Sequence, residues 1–300
     1  MDLFKENENL VLFKVEEQGL SLETFLYSMD LSGRLFRRLY RGKNIYVNGK
    51  FMRKDLVLKK DDIVSLLFED EEENTRPEKM DLDIIHEDFD LLILNKGPNI
   101  VVHPTKSHQT NTLSNGIAYY FKERGIKKKI RFVNRLDMDT SGVLIVAKNS
   151  FAHQQMALQF ENFTVEKKYK ALVRGSLEKE SDYIDMPIGR EEEDSIRKMV
   201  MDGGQRALSK YKLIQRYRDA SLLDIQIFTG RSHQIRVHLA YIGHPIIGDS
   251  LYGEGDTFIR RQALHSYYIR ARHPRNKEDI EFIAPLPRDM EELIKELKKQ

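Results

Sequence analysis

The sequence predicts an α+β protein in two unequal parts. A small basic α/β module is expected over residues 13–68, and a mixed, mainly antiparallel sheet domain over residues 81–300. Short β runs dominate the second part: Leu91-Leu-Ile-Leu, Ile100-Val-Val, Val143-Leu-Ile-Val, Tyr169-Lys-Ala-Leu-Val and Leu222-Leu-Asp-Ile-Gln-Ile, bounded by Gly, Asn or Pro. Helical patterns there are few, at residues 150–162, 233–242 and 288–299, so helices pack on a sheet instead of alternating with its strands. Charge divides the chain as well. Residues 21–60 hold ten basic and three acidic side chains, whereas residues 61–90 hold thirteen acidic and two basic, under a total of only +2.

In the small module, Ser21 can cap a helix running through Leu22, Phe25 and Leu26, with Glu23 in its first turn. Ser32 starts a second helix whose apolar face is Leu35, Phe36 and Leu39, and Gly42 is placed to end it. Arg34, Arg37, Arg38 and Arg41 recur three or four apart and share one side of that helix, with Lys43 just beyond. Asn48-Gly49 within Ile45-Tyr-Val-Asn-Gly-Lys is a hairpin signal. Leu56, Leu58, Ile63, Val64 and Leu66 complete a core. The run Glu69-Asp-Glu-Glu-Glu-Asn-Thr-Arg-Pro77 reads as an acidic linker over residues 69–80.

Composition restricts the chemistry. The chain has no Cys, so a thiol nucleophile, a disulfide, an iron–sulfur cluster and Cys-ligated zinc are excluded. Covalent chemistry must come from a carboxylate, hydroxyl, amine or imidazole. The aliphatic stretch Val143-Leu-Ile-Val-Ala147 falls far short of the ~20 apolar residues of a membrane span. The acidic start, without the apolar core of a signal peptide, makes the cytoplasm the expected compartment. The basic module beside an acidic region suggests a polyanion-binding part next to one that is not, with nucleic acid as the polyanion.

Four stretches can carry chemistry. Phe132-Val-Asn-Arg-Leu-Asp-Met-Asp-Thr-Ser-Gly142 reads as a strand running into Asp137, then a polar turn and a very apolar strand. A carboxylate at a sheet edge, with Arg135 two residues before it, can be held and aimed. In Phe228-Thr-Gly-Arg-Ser-His-Gln-Ile-Arg-Val-His238 a strand ends at Gly230, and Arg231 together with a helix N-terminus favours anions. Val165-Glu-Lys-Lys-Tyr-Lys-Ala-Leu-Val-Arg-Gly175 places Tyr169 on a strand, and Ile93-Leu-Asn-Lys-Gly-Pro-Asn-Ile-Val-Val-His-Pro104 reads as a hairpin-like element. Asp139, two residues past Asp137, is expected to cap the turn toward Thr140-Ser141, although two neighbouring carboxylates also raise the idea of a glycosidase. His233, His238, His244 and His265 lack the four-residue spacing of a helical zinc motif, so structural or RNA-contacting roles are expected of them and no metal site. Lys127-Lys-Lys129 reads as a solvated loop.

Together these stretches, with Gly243-His-Pro-Ile-Ile-Gly-Asp-Ser-Leu-Tyr-Gly253 and Leu264-His, resemble the RluA/RluD-type family of RNA pseudouridine synthases, in collinear order over about residues 84–285. The first module resembles the αL-type RNA-binding module of a small-subunit ribosomal protein and of some RNA-modifying enzymes, through Leu31-Ser-Gly-Arg-Leu-Phe-Arg-Arg-Leu-Tyr-Arg-Gly42, Val47-Asn-Gly and Lys59-Lys-Asp-Asp-Ile.

The resemblance implies the pseudouridine synthase fold, no cofactor and no metal, and conversion of uridine in structured RNA. Large-subunit ribosomal RNA is the favoured substrate by the family's habit, with transfer RNA the other candidate; a monomer is expected. Asp137 is then similar to the family's catalytic aspartate, and attack on the sugar, attack on the base and proton abstraction all stay open for it. Arg231 resembles the basic residue that pairs with that aspartate, and Tyr169 the active-site tyrosine that stacks on the target base, with proton transfer a second role open to it. Arg135 is similar to the arginine entering the RNA stack, and Leu264 to an apolar residue of the base pocket. The basic face, Arg34, Arg37, Arg38, Arg41 and Lys43, would add RNA contacts. Two departures stand out: Asn134 replaces the family's usual His before Arg-Leu-Asp, and Asn95-Lys-Gly-Pro98 replaces the commoner Asn-Lys-Pro-Ala/Ser-Gly. The alternative reading is a catalytically silent RNA-binding or ribosome-assembly protein of the same fold.

Overall fold

The computed structural model describes residues 3–105, 108–190, 192 and 195–299. The small module contains β1 (Leu10–Lys14), α1 (Leu22–Ser28), α2 (Gly33–Arg41), β2 (Ile45–Val47), β3 (Lys50–Phe51) and β4 (Ile63–Leu67), with its antiparallel strands ordered β1-β4-β2-β3. Ser21 and Ser32 cap the two helices, accepting hydrogen bonds from the backbone N–H of Thr24 and Leu35. Asn48 and Gly49 both adopt positive φ, as a two-residue hairpin of this hand requires. Strand β1 starts ahead of residue 13, because Leu10 and Val11 supply buried side chains and pair with Leu67 and Leu66.

The larger part begins with β5 (Ile84–Glu87), β6 (Leu91–Lys96), α3 (Leu113–Glu123), β7 (Arg131–Phe132), β8 (Ser141–Ala147) and α4 (Ser150–Glu161). It continues through β9 (Glu166–Arg174), β10 (Ser181–Asp185), β11 (Ile188–Arg190), β12 (Lys198–Val200), β13 (Leu208–Arg216) and β14 (Ala220–Ile227). Helix α5 (Gln234–Tyr241), β15 (Leu264–Arg272), β16 (Asp279–Ile283) and α6 (Arg288–Leu297) close it. One sheet runs β10-β13-β14-β9-β15-β8-β6-β5, with β16 added to β15 and β7 to β8, while β11 and β12 form a separate hairpin. Every pairing in the large sheet is antiparallel except β15 with β8.

Strand β8 is buried along its whole length because helices cover both faces of the sheet there. Leu144 and Val146 pack in one core with Ile117 and Phe121 of α3 and Met290 and Leu293 of α6. Val143 and Ile145 point the other way, into a core with Ala152 and Met156 of α4. Gly142 lies where β8 meets β15, with φ +119°; a Cβ there would stand 2.1 Å from the Ser266 carbonyl oxygen, so only glycine fits.

Several expectations need correction. Ile100-Val-Val is not a strand: Ile100 N–H donates to the Met138 carbonyl, and Val101 and Val102 carbonyls accept from the start of α3. The hairpin expected over residues 93–104 therefore has only its first arm. Helix α3 had no counterpart among the expected helices. Its capping box uses Asn115 where Glu or Gln is usual, and Gly116 sits in its first turn. Tertiary contact explains both, since a Cβ on Gly116 would stand 2.9 Å from Met80 Cβ and the Asn115 amide donates to the Arg76 carbonyl. The acidic segment is accordingly strapped to the sheet domain, with Arg131 bonding both carboxylate oxygens of Glu71 and Ile130 N–H donating to Glu73. Lys128 is likewise buried, not solvated, and its ammonium donates to Asn9.

The two parts share a core. Phe151, the second residue of α4, is fully buried among small-module side chains, its ring 5.7 Å from that of Phe13 and 6.4 Å from that of Phe68. The buried Arg275 guanidinium bonds both oxygens of Asp90 at 2.8 and 2.9 Å and donates to the Leu10 carbonyl. Gln155 donates to the Met29 carbonyl at the end of α1. These contacts seat the basic helix α2 at a set position relative to the sheet.

Candidate active site

Asp137 lies in the loop between β7 and β8, because the strand expected to reach it ends at Phe132. Asn134 extends the ladder with its side chain instead: its amide donates to the Val143 carbonyl at 3.2 Å and accepts from Ile145 N–H at 2.8 Å. Both are structural bonds that a neutral amide supplies, so this position needs no titratable group here. The turn itself is closed by Thr140 N–H donating to the Asp137 carbonyl. The buried Lys96 ammonium donates to the carbonyls of Met138, Gly97 and Ile100 at 2.7, 2.8 and 3.0 Å. Burial pulls that ammonium down to about 7, opposed by the charges of Asp139 and Asp137. Arg261 donates to the Asp139 carbonyl, so the loop is tied down on every side. The expected capping role of Asp139 is not met. Its Oδ1 is buried without a hydrogen-bond partner among the described residues, and the turn N–H of Thr140 goes to a main-chain oxygen.

The guanidinium that pairs with Asp137 belongs to Arg236, not Arg231. Arg236 Nη1 stands 3.2 Å from Asp137 Oδ2, while its Nε and Nη2 bond both oxygens of the buried Asp249 at 2.7 and 2.8 Å. The physical reason is the turn that separates them. Arg231 precedes His233, which holds a left-handed conformation at φ 57° and turns the chain into α5; Arg236 lies in the first turn of that helix. Arg231 points instead toward Arg206, donating from Nε to its carbonyl, and contributes to the wall of the cleft at Asp137. Gln234 holds this corner, accepting from Thr229 and from Arg231 N–H and donating to Leu208 and Ser209.

The remaining expected residues converge on one cleft. Asp137, Arg135, Tyr169, Leu264, Arg231 and Arg236 all line it. Tyr169 faces inward by strand alternation on β9 and pairs with Ile225 of β14. Burial pushes its phenol up to about 12, with the Asp137 charge adding to the effect, so it keeps its proton at neutral pH. Leu264 is buried at the start of β15 beside it. His233 is also in the cleft, its Nε2 3.9 Å from Asp137 Oδ2. Both neighbours address Oδ2, which leaves Oδ1 without a protein partner among the described residues and open to a ligand.

The sequence reading leaves out Arg236 and Asp249 and gives His233 only a structural or RNA-contacting role. The available signal was the second arginine of Arg231-Ser-His-Gln-Ile-Arg236, read together with the acid of Gly248-Asp-Ser: a buried carboxylate needs a buried cation. The other histidines are structural. His238 bonds Ser209 and the Met186 carbonyl, His244 the Arg174 carbonyl, and His265 Ser141 and the Ala284 carbonyl. Among the described residues, no group of three or more His, Asp or Glu is placed to hold a metal ion, and no helix is long and apolar enough to cross a membrane.

Sequence and fold are also similar to those of known proteins. The sequence profile of the RNA pseudouridylate synthase family matches residues 90–241. The uncharacterized RNA pseudouridine synthase YjbO of Bacillus subtilis (strain 168) is 36% identical over 279 residues, covering 92% of this chain and 99% of its own. The chain belongs to the RNA pseudouridine synthase family. Within that family the synthase is of RluA/RluD type: the ribosomal large subunit pseudouridine synthase D of Haemophilus ducreyi (strain 35000HP / ATCC 700724) is 35% identical over 243 residues, 76% of this chain and 74% of the relative. Its fold matches the human RNA pseudouridylate synthase domain containing 1 with a TM-score of 0.58 at 25% identity, over 73% of this chain and 96% of that one. The synthase is thus an isomerase acting on RNA.

Proposed function

We propose that the synthase converts uridine to pseudouridine in structured large-subunit ribosomal RNA, with Asp137 as the reacting carboxylate. The observation that carries this reading is the Asp137 carboxylate itself, held through Oδ2 by Arg236 at 3.2 Å in the cleft that Tyr169 and Leu264 line. The substrate assignment draws on the relative named a ribosomal large subunit pseudouridine synthase. The reaction breaks the bond from ribose C1′ to uracil N1, turns the base and joins C1′ to C5; C5 loses a proton and N1 gains one, so no redox partner is consumed. Taking the uridine out of its stack costs a few kcal/mol, which Tyr169 and Leu264 offset by packing on the extruded base while Arg135 fills the place it left. Mapping pseudouridines in ribosomal RNA from cells with and without the gene tests it. The expected outcome is one or a few missing sites in the large subunit; an unchanged map would overturn the reading in favour of a silent RNA binder.

In this reading the α2 face holds phosphates beside the target. Arg34, Arg37, Arg41 and Lys43 are exposed there, while Arg38 also hydrogen-bonds Ser150 of α4. Replacing Arg34, Arg37 and Arg41 by Ala is expected to lower the slope of log affinity against log salt by about two to three, near one per lost phosphate contact. An unchanged slope in a binding titration would mean that this face is merely solvated.

A further inference from the structure

The hairpin β11–β12 packs beside α5, and one hydrogen-bonded chain runs from it to the site. Lys198, the first residue of β12, donates its backbone N–H to Tyr252 Oη at 2.8 Å. The same Tyr252 oxygen lies 2.8 Å from His233 Nδ1. With a main-chain donor already on it, the phenol has its own proton left to give, and Nδ1 is the acceptor in reach. That assigns the imidazole proton to Nε2, the nitrogen facing Asp137 Oδ2 at 3.9 Å.

Three further observations hold the chain in place. The Tyr252 ring meets the His233 ring edge-on at 5.6 Å and lies 5.0 Å from the Arg236 guanidinium carbon. Tyr252 N–H and Leu251 N–H both bond Asp249 Oδ1, the carboxylate that orients Arg236. His233 itself sits at φ 57°, ψ 18°, a backbone state costly for most residues and maintained only where the surroundings over-determine it. The charged groups facing the imidazole are Asp137 from the β7–β8 loop, Arg236 from α5, Asp249 after it and Lys198 from β12. Burial outweighs them and lowers the imidazole's pKa, which favours the neutral ring that the acceptor role of Nδ1 requires.

We propose that His233 is a positioning residue for Asp137, and that Tyr252 sets its tautomer, so that the β11–β12 hairpin is linked through Lys198 N–H to the reacting carboxylate. Closing the remaining gap between Nε2 and Oδ2 gives that oxygen a second donor beside Arg236 and turns Oδ1 toward the uridine. The inference rests on the proposed role of Asp137.

The test is a double-mutant cycle on the full-length enzyme with its RNA substrate. Tyr252→Phe keeps the ring and removes the hydroxyl; His233→Asn keeps a residue tolerant of the left-handed backbone but is too short to span the gap. Each is expected to lower kcat about tenfold with KM, RNA affinity and unfolding midpoint unchanged, and the double variant is expected to be no slower than either single one. Wild-type kcat in Tyr252→Phe, or losses that multiply in the double variant, would overturn the proposal. So would a loss of RNA affinity or stability that accounts for the drop, since the chain would then be purely structural. If Tyr252→Phe is fully active while Asp137→Asn is dead, the chain fails and the role of Asp137 stands; if Asp137→Asn is active, that role fails first.

Discussion

Asp137→Asn enzyme is expected to bind its RNA as tightly as the wild type and to turn over about a thousandfold more slowly, or worse. The amide has the volume of the carboxylate and can still accept from Arg236 Nη1, so the cleft keeps its shape. What disappears is the negative charge and the basicity of the open Oδ1. A factor of a thousand corresponds to roughly 4 kcal/mol of lost transition-state stabilisation, within the range seen when a reacting group is removed. Because the product is an isomer of the substrate, mass alone cannot report it. Chromatography of digested nucleosides measures turnover, and a titration at fixed salt measures binding. Undiminished turnover would remove Asp137 from the chemistry.

The second large effect separates the two arginines of the Arg231–Arg236 stretch. Arg236 is buried and bonds two carboxylates, so Arg236→Gln leaves Asp249 buried without its cation. Breaking a buried pair from one side costs about 3–5 kcal/mol, and that loss is expected in urea unfolding together with a collapse of kcat. Arg236→Lys retains the charge but cannot reproduce the two-pronged contact with Asp249, so it restores only part of either. Arg231→Gln is expected to change stability by less than about 0.5 kcal/mol, because among the described residues the guanidinium's hydrogen bond is to the Arg206 carbonyl at the surface. Its loss falls on KM. The reverse pattern, with Arg231→Gln inactive and Arg236→Gln stable, would return the pairing role to Arg231.

Much of the site was legible in the sequence, and the errors have specific causes. Asp137, Tyr169, Leu264 and Arg135 meet in one cleft although they come from two strands and a loop. Motif order could name them because each sits next to a local signal: a strand end, an alternating strand or a turn. Arg231 carried the pairing role only through the family resemblance, and the stretch Arg231-Ser-His-Gln-Ile-Arg236 offers two arginines that residue type alone does not separate. The left-handed turn at His233 rotates the two arginines to different neighbours, and nothing in residue type announces that turn. Helix α3 escaped for a related reason, since its weak local propensity is compensated by Met80 and Arg76, more than thirty residues away.

By itself the sequence determined the parts: two capped helices and a tight hairpin in the basic module, apolar strands, the exclusion of thiol chemistry by the lack of cysteine, and the family through ordered motifs. Those features depend on interactions between near neighbours in the chain, which residue order states directly. Only the tertiary structure decided which cation faces Asp137, that Asn134 serves as a surrogate strand, that the acidic segment is strapped down, and that Phe151 joins the two cores. Each depends on contacts between residues far apart in sequence, through burial and hydrogen-bond geometry that composition and spacing do not encode.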